Sequence, residues 1–197
     1  MIILAAGLSK RMGVFKPLMP VGRHPAILRN IHTAEAAGVF DIVVVTGYMH
    51  EALKNVLHAH KPDLRLIHNS RYREDMILSV RSGVSALAED TDGFFLLPAD
   101  CCAISKYTLS SLINAFKEIN ASVVTHPEFE GKRGHPPLIP AKYIDRIVSD
   151  DSANGLKGIL DSLPAIEIDT NDPGVLLDMD TPEDYALLLT HLGLPAP

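Results

Sequence analysis

The chain has few aromatic residues, few cysteines, no surplus of positive charge and no long apolar run. Aromatic types make up 6% of its 197 residues, and 18 Lys and Arg face 24 Asp and Glu, for a net charge of −6. A chain this acidic presents no general basic face, so neither nucleic acid nor an anionic membrane is an expected partner. No stretch approaches the ~20 apolar residues of a membrane span. The opening Met1-Ile2-Ile3-Leu4-Ala5-Ala6 lacks a basic leader segment, and its apolar run is too short for a secretory signal. The two cysteines, Cys101 and Cys102, are adjacent. Neighbouring side chains point apart, so a bridge between them is not expected, and no zinc-ligand spacing is present. These absences fit a reducing, cytoplasmic setting. The two common phosphate fingerprints, GxGxxG and GK[ST], are missing too, and the histidines show no metal-binding spacing. Any phosphate chemistry must come from a local site.

What is present is an apolar fraction of 47% with 21% charged residues, the balance of an ordinary globular chain. A chain of this length buries roughly 70% of its unfolded surface and needs no staples. One domain over residues 1–197 is expected. Short apolar runs alternate with helical patterns: strands at Ile2–Ala6, Asp41–Thr46, Leu64–Ile67, Phe94–Leu97 and Ser122–Val124, with helices at Pro25–Ala37, Glu51–His58, Met76–Ala88 and Leu109–Ile119. Runs that are apolar throughout, separated by helices, mark a parallel sheet covered on both faces. The expectation is a doubly wound, Rossmann-like three-layer α/β/α sandwich with a mostly parallel, mixed sheet. The pattern breaks after His126. Glu128–His135 reads as a loop or an antiparallel excursion, Tyr143–Val148 and Leu156–Leu163 as short helices, Ile166–Ile168 and Val175–Leu177 as late strands, and Pro182–Leu192 as a closing helix. The tail Leu194–Pro197 is expected to fray.

Ligands of open parallel sheets collect beyond the carboxyl ends of the strands. The residues there are Ala6-Gly7, Gly47, Asn69, Asp100, His126 and Asp178-Met179-Asp180. The loop after the first strand, Leu4-Ala5-Ala6-Gly7-Leu8-Ser9-Lys10-Arg11-Met12-Gly13-Val14-Phe15-Lys16-Pro17-Leu18, holds two glycines and three cations. Small residues let the backbone approach a ligand, and successive N–H groups in such a turn form an anion-binding concavity. Arg11 and Lys16 can neutralise polyphosphate oxygens there. The competing reading is a glycine turn with solvated cations.

The spacing Leu-Ala-Ala-Gly-x-Ser-x-Arg-Met-Gly-x-x-Lys-x-Leu resembles the signature loop of the MobA-like nucleotidyltransferases, especially the molybdenum-cofactor cytidylyltransferase branch. The resemblance implies that Arg11 holds the β- and γ-phosphates and that Lys16 sits over the α-phosphate. It places Leu4, Ala5, Ala6, Gly7, Ser9 and Gly13 around the nucleotide. It also implies that Asp100 is a magnesium ligand, although Cys101-Cys102 replace the small or apolar residue and proline that usually follow. The closing Asp178-Met179-Asp180-Thr181-Pro182-Glu183-Asp184 resembles the family's Asp-x-Asp-Thr-Pro-Glu-Asp segment. It reads as a helix cap by Asp180 or Thr181, followed by Pro182. The resemblance adds a second metal ligand there, Asp180 or Asp178, with Asp180 favoured. Ser79 and Ser82 resemble residues beside the base and ribose, while serines within a helix are otherwise neutral. Gly47 gives the base room or is a plain turn glycine. Arg133, Gly134, His135 and Pro136 resemble the acceptor-facing Gly-His-Pro segment.

The resemblance thus implies a magnesium-dependent enzyme that transfers NMP from an NTP, with CTP favoured, to a phosphorylated small-molecule acceptor of the molybdopterin type, releasing pyrophosphate. A molybdoenzyme or its maturation chaperone is a further implied partner. Asp150–Leu156 matches the branch only loosely, which keeps sugar- and alcohol-phosphate acceptors open. A non-catalytic nucleotide- or cofactor-binding module is the reading from another class. A kinase or NAD enzyme on a similar sheet lacks its fingerprint.

Overall fold

Residues 1–150 and 155–195 are described by a computed structural model. The chain runs β1 (Ile2–Ala5), β2 (Pro20–Val21), β3 (His24–Pro25), α1 (Ala26–Ala36), β4 (Val43–Thr46), α2 (His50–His60), β5 (Arg65–His68), α3 (Met76–Val84), β6 (Gly93–Pro98), α4 (Lys106–Glu118), β7 (Val124–Phe129), β8 (Lys132–Arg133), β9 (Leu138–Pro140), α5 (Ile144–Ser149), α6 (Gly155–Asp161), β10 (Ala165–Asp169) and α7 (Pro182–His191). Short 3₁₀ turns lie at Lys16–Leu18, Ala141–Tyr143 and Pro173–Leu176. Asp151–Asn154 and the final Ala196-Pro197 lie outside the described residues, and with them part of the loosely matching segment and of the tail.

The sheet order is β10-β7-β9-β6-β1-β4-β5, with β8 added to β7 and a separate β2–β3 hairpin. β6, β1, β4 and β5 are mutually parallel, as are β7 and β10, while β9 runs antiparallel between β6 and β7. The period of two in β1 explains the layering. Ile3, with Val44, Phe95 and Leu97, packs into the core that holds Ile27, Leu28 and Ile31 of α1 and Leu109 of α4. Ile2, with Val43, Val45, Phe94 and Leu96, packs into the core that holds Val80 of α3, Ile147 of α5 and Ile159 of α6. The helix against β1 and β4 comes close: a Cβ on Gly83 would sit 2.6 Å from Ile2 Cγ2 and 2.9 Å from Val45 Cγ2. A third core beneath α7 joins Val21, Ala26, Cys102 and Ala103 to Met179, Tyr185, Leu188 and Leu189. The expected three-layer α/β fold is present. No helix of the described residues is long and apolar enough to cross a membrane.

Several local expectations need correction. Val175–Leu177 is not a strand. Asp172 accepts a hydrogen bond from Gly174 N, and Pro173 opens a 3₁₀ turn that β-branched Val175 follows instead of pairing. Its geometry overrides a propensity that is weak in isolation. His126 is not a strand end but lies inside β7, which continues to Phe129. The helix at Met76 stops at Val84, short of Ala88. Of the two readings of Glu128–His135, the antiparallel excursion is the one formed, as the β7–β8 pair. The β2–β3 hairpin and β9 were not anticipated.

Candidate active site

Because β6, β1, β4 and β5 are parallel, their carboxyl ends open on one edge of the sheet. Register brings the segments after β1 and β6 together: Leu4 pairs with Pro98, and Ala99 N donates to Leu4 O at 3.0 Å. The first loop is closed by its own hydrogen bonds. Gly13 N donates to Ser9 O at 3.1 Å, and Lys16 N donates to Ser9 Oγ at 3.1 Å. Gly13 has φ +73, a conformation that favours glycine. Leu4, Ala5, Gly7, Ser9, Lys16, Pro17, Ala99 and Asp100 line a cavity of about 100 Å³. A larger groove of about 800 Å³, with Phe40 and Phe116 among its walls, holds none of the residues the sequence singles out.

At the floor of the small cavity, three parts of the chain converge. Lys16 Nζ donates to Asp100 Oδ2 at 2.9 Å and to Asp180 Oδ1 at 2.5 Å. Arg11 Nη2 lies 2.6 Å from Asp180 Oδ2. The Lys16 side chain is only 10% exposed, whereas that of Arg11 is 71% exposed. Thr181, not Asp180, caps α7, in a reciprocal box with Asp184, which leaves Asp180 for the cations. Asp178 stands beside them, its Oδ1 accepting from Asp180 N at 3.2 Å.

The electrostatics follow from this geometry. Burial pulls the Lys16 ammonium down, but hydrogen bonds and charge from Asp180 and Asp100 outweigh it and raise its pKa. The hydrogen bond from Lys16, aided by Arg11, holds the Asp180 carboxyl below the usual range. Asp178 is pushed up by burial and then by the Asp180 and Asp100 carboxylates. Three carboxyl groups thus meet two cations, and the one that pairs with neither, Asp178, holds its proton more readily than usual. Among the described residues no set of three or more His, Cys, Asp or Glu is arranged around one metal point. Yet hard carboxylate oxygens of Asp100 and Asp180 already converge on a shared cation. That donor set, with room for phosphate oxygens, suits a hard divalent ion.

Of the neighbouring thiols, Cys101 touches the cluster, its Sγ donating to Asp100 Oδ1 at 4.0 Å, and both are otherwise buried in the cores. Cys101 packs in the core beside α4 and Cys102 in the core beneath α7. Burial raises the Cys101 thiol well above its ordinary range and pushes Cys102 up to about 12. The turn that follows Asp100 is instead held by α1. Asn30 Nδ2 donates to Ala99 O at 3.0 Å, and Arg29 Nε donates to Cys102 O at 2.8 Å. Sequence reasoning missed both residues. The available signal was a polar side chain, Asn30, on the same buried helix face as Ile27 and Ala34.

Elsewhere the sequence-derived positions fall in three groups. Ala6 and Gly47 abut, since a Cβ on Gly47 would lie 2.9 Å from Ala6 Cβ and 2.5 Å from Tyr72 Cβ. Ser79 is buried and accepts from Asn69 Nδ2 at 2.9 Å, so it anchors the residue after β5. Ser82 Oγ donates back to Leu78 O within its own helix. On the acceptor side, Gly134 passes against the Pro173–Leu176 turn: a Cβ there would meet Val175 O at 2.4 Å. His135 N donates to that same carbonyl at 2.8 Å, and the His135–Pro136 peptide is cis. Burial lowers the His135 ring's pKa, and the Asp100 carboxylate opposes the shift. Arg133 is paired with Glu167 of β10, away from Lys16.

The model of the MobA-like NTP transferase domain matches residues 1–167. The chain belongs to this family. It is a MobA-like nucleotidyltransferase. It is 27% identical to the molybdenum cofactor cytidylyltransferase of Escherichia coli (strain K12) over 188 residues, 93% of this chain and 92% of that protein. Two solved structures share its fold. The manganese complex of Rv0371c from Mycobacterium tuberculosis H37Rv superimposes with a TM-score of 0.79 at 21% identity, covering 96% of each chain. A nucleotidyl transferase from Methanothermobacter thermautotroptrophicus superimposes at 0.80 and 21% identity, covering 96% of this chain and 95% of that one.

Proposed function

We propose that this MobA-like transferase moves a CMP group from CTP to a phosphate-bearing acceptor of the molybdopterin type, with magnesium, and releases pyrophosphate. The observation that carries the reading is the meeting of Lys16, Asp100 and Asp180 beneath the glycine-containing first loop. Residues 1–197 act as one domain in this reading, because Asp180 completes a site begun at residue 4. The E. coli relative's cytidylyltransferase name supports CTP and the acceptor class, and the manganese complex of Rv0371c supports a divalent ion.

A terminal phosphate oxygen of the acceptor attacks the α-phosphorus, and the bond to the β-phosphate oxygen breaks. A phosphate monoester is already anionic, so the protein needs no strong general base. Catalysis is positioning and charge compensation. Asp100 and Asp180, or Asp178 in its place, would hold the magnesium, which would supply positive charge to offset that of the phosphates. Lys16 moves onto the α-phosphate. Arg11, largely exposed, takes the β- and γ-phosphates. Backbone groups of Leu4 to Gly7, with Ser9 and Gly13, surround the nucleotide, and Gly47, Ser79 and Ser82 shape the base and ribose side. Gly134, His135 and Pro136 face the acceptor, with Arg133 at the margin. The setting is cytoplasmic, and a molybdoenzyme or its maturation chaperone receives the product.

The test is a matrix of triphosphates against acceptors, scored by pyrophosphate release with and without magnesium. The expected result is magnesium-dependent release that is greatest with CTP and a molybdopterin-type acceptor. Asp100→Ala should abolish the metal response. Release with a sugar or alcohol phosphate alone would reassign the acceptor, and an unchanged metal response in Asp100→Ala would remove its role.

A further inference from the structure

The place of greatest demand for positive charge in this site is already taken by the protein. Lys16 Nζ sits 2.9 Å from an oxygen of Asp100 and 2.5 Å from an oxygen of Asp180. Arg11 covers the other Asp180 oxygen at 2.6 Å. A divalent ion that used one oxygen from each aspartate would fall within a few ångströms of the ammonium. Like charges at such a separation, in a partly buried site, repel strongly. Lys16 and a metal therefore exclude each other from the pair.

The two cations are not equally held. Arg11 is exposed and reaches Asp180 from the loop's outer side. Lys16 is anchored from below: its N–H is bonded to Ser9 Oγ, Pro17 follows it in a 3₁₀ turn, and its side chain is buried. Its ammonium leaves the carboxylates only when a stronger anionic partner comes within reach. Lys16 itself lines the cavity, together with Gly7 and Ser9. A triphosphate there offers such a partner to Lys16 and Arg11 together.

We infer that Lys16 is a cation place-holder that discriminates between free metal and metal accompanied by nucleotide. It keeps a divalent ion off Asp100 and Asp180 until a nucleoside triphosphate draws the ammonium onto phosphate. This rests on the nucleotidyl-transfer reading above and adds an order of binding to it. Lys16 then acts with opposite sign in two measurements: against metal alone, and for metal with nucleotide. Linkage makes the effect reciprocal, so nucleotide and metal strengthen each other's binding by one factor. A salt bridge with a merely structural role predicts no such reversal.

The experiment is manganese binding, read by electron paramagnetic resonance on protein-bound ion, with and without a non-hydrolysable CTP analogue. Wild type should bind manganese weakly alone and at least about tenfold more tightly with the analogue, a usual size for coupling between sites. Lys16→Gln should bind manganese alone about tenfold more tightly than wild type and lose most of the gain from the analogue. Lys16→Arg, which keeps the charge, should behave as wild type. Tight, saturable manganese binding to wild type without nucleotide would overturn the inference even if Lys16→Gln does not fold. So would a Lys16→Gln protein that folds and binds manganese alone no better than wild type. Asp100→Asn separates the two levels: if it leaves manganese binding with the analogue unchanged, the underlying site assignment fails, and the inference with it. If it abolishes that binding while Lys16→Gln shows no gain, only the place-holder role fails.

Discussion

Among individual residues, His126 is the one whose environment fits its chemistry least. It is 8% exposed within β7, and its Nε2 has no hydrogen-bond partner. Burial, reinforced by Arg133, lowers its pKa to about 4. The unfolded chain, with a histidine near ~6.5, takes up the proton first, so this ring makes stability fall as pH drops from about 6.5 to about 4. The full effect is up to about 3 kcal/mol. His126→Met removes the titrating ring. The loss in thermal midpoint between pH 7 and pH 5, followed by circular dichroism, should then be about 4–8 °C smaller than in wild type. An identical loss in both proteins would show that the acid sensitivity lies elsewhere. The candidate site residues legible in the sequence were Arg11 and Lys16, beside glycines on an acidic chain, and, through the family resemblance, Asp100 at the end of an apolar strand. Arg29 and Asn30 were not legible, because their partners are backbone carbonyls 73 and 69 residues away.

At the level of elements, the parallel strands were legible, whereas of the antiparallel ones β8 was left between two readings and β9 was not legible. β1, β4 and β6 are buried on both faces and read as unbroken apolar runs. β8 is two charged residues and β9 is three residues ending in Pro140, too short for periodicity to register. The Pro173–Leu176 turn was misread because its determinant is a single carboxylate. Asp172 accepts from Ser105 N and Gly174 N, each at 2.9 Å, and from Thr108 Oγ1 at 2.5 Å. It thereby ties the start of α4 to the turn that supports Gly134. Asp172→Ala strands those donors in a buried place and should cost about 3 kcal/mol. In a thermal melt that is a fall of about 6–12 °C. A change below about 2 °C would mean that the turn holds without its acceptor.

For the whole molecule, the cluster of Lys16, Asp100 and Asp180 does not form until the segment leading into α7 is in place. The contact between Lys16 and Asp180 joins residues 164 positions apart. Beneath α7, Met179, Tyr185, Leu188 and Leu189 are buried, and each such side chain contributes about 1.5–3 kcal/mol. Their sum rivals the ~5–15 kcal/mol that holds an ordinary domain together. A chain ending at residue 171, although it contains the whole family match, should lose its cooperative melt and its pyrophosphate release. Retention of both would show that α7 is an accessory. The mixed sheet has a last consequence. The segments proposed to grip the donor extend from parallel β1, β4 and β6, whereas the segment proposed to face the acceptor, 133–136, runs from antiparallel β8 towards β9. Gly134 N and His135 N donate to Pro127 O and Val175 O, and Pro137 O accepts from Leu96 N of β6, so the backbone there is fixed and only side chains are free to vary. In the proposed assignment, a change of side chain at Arg133 or His135 would alter the choice of acceptor and leave the donor's strands in place.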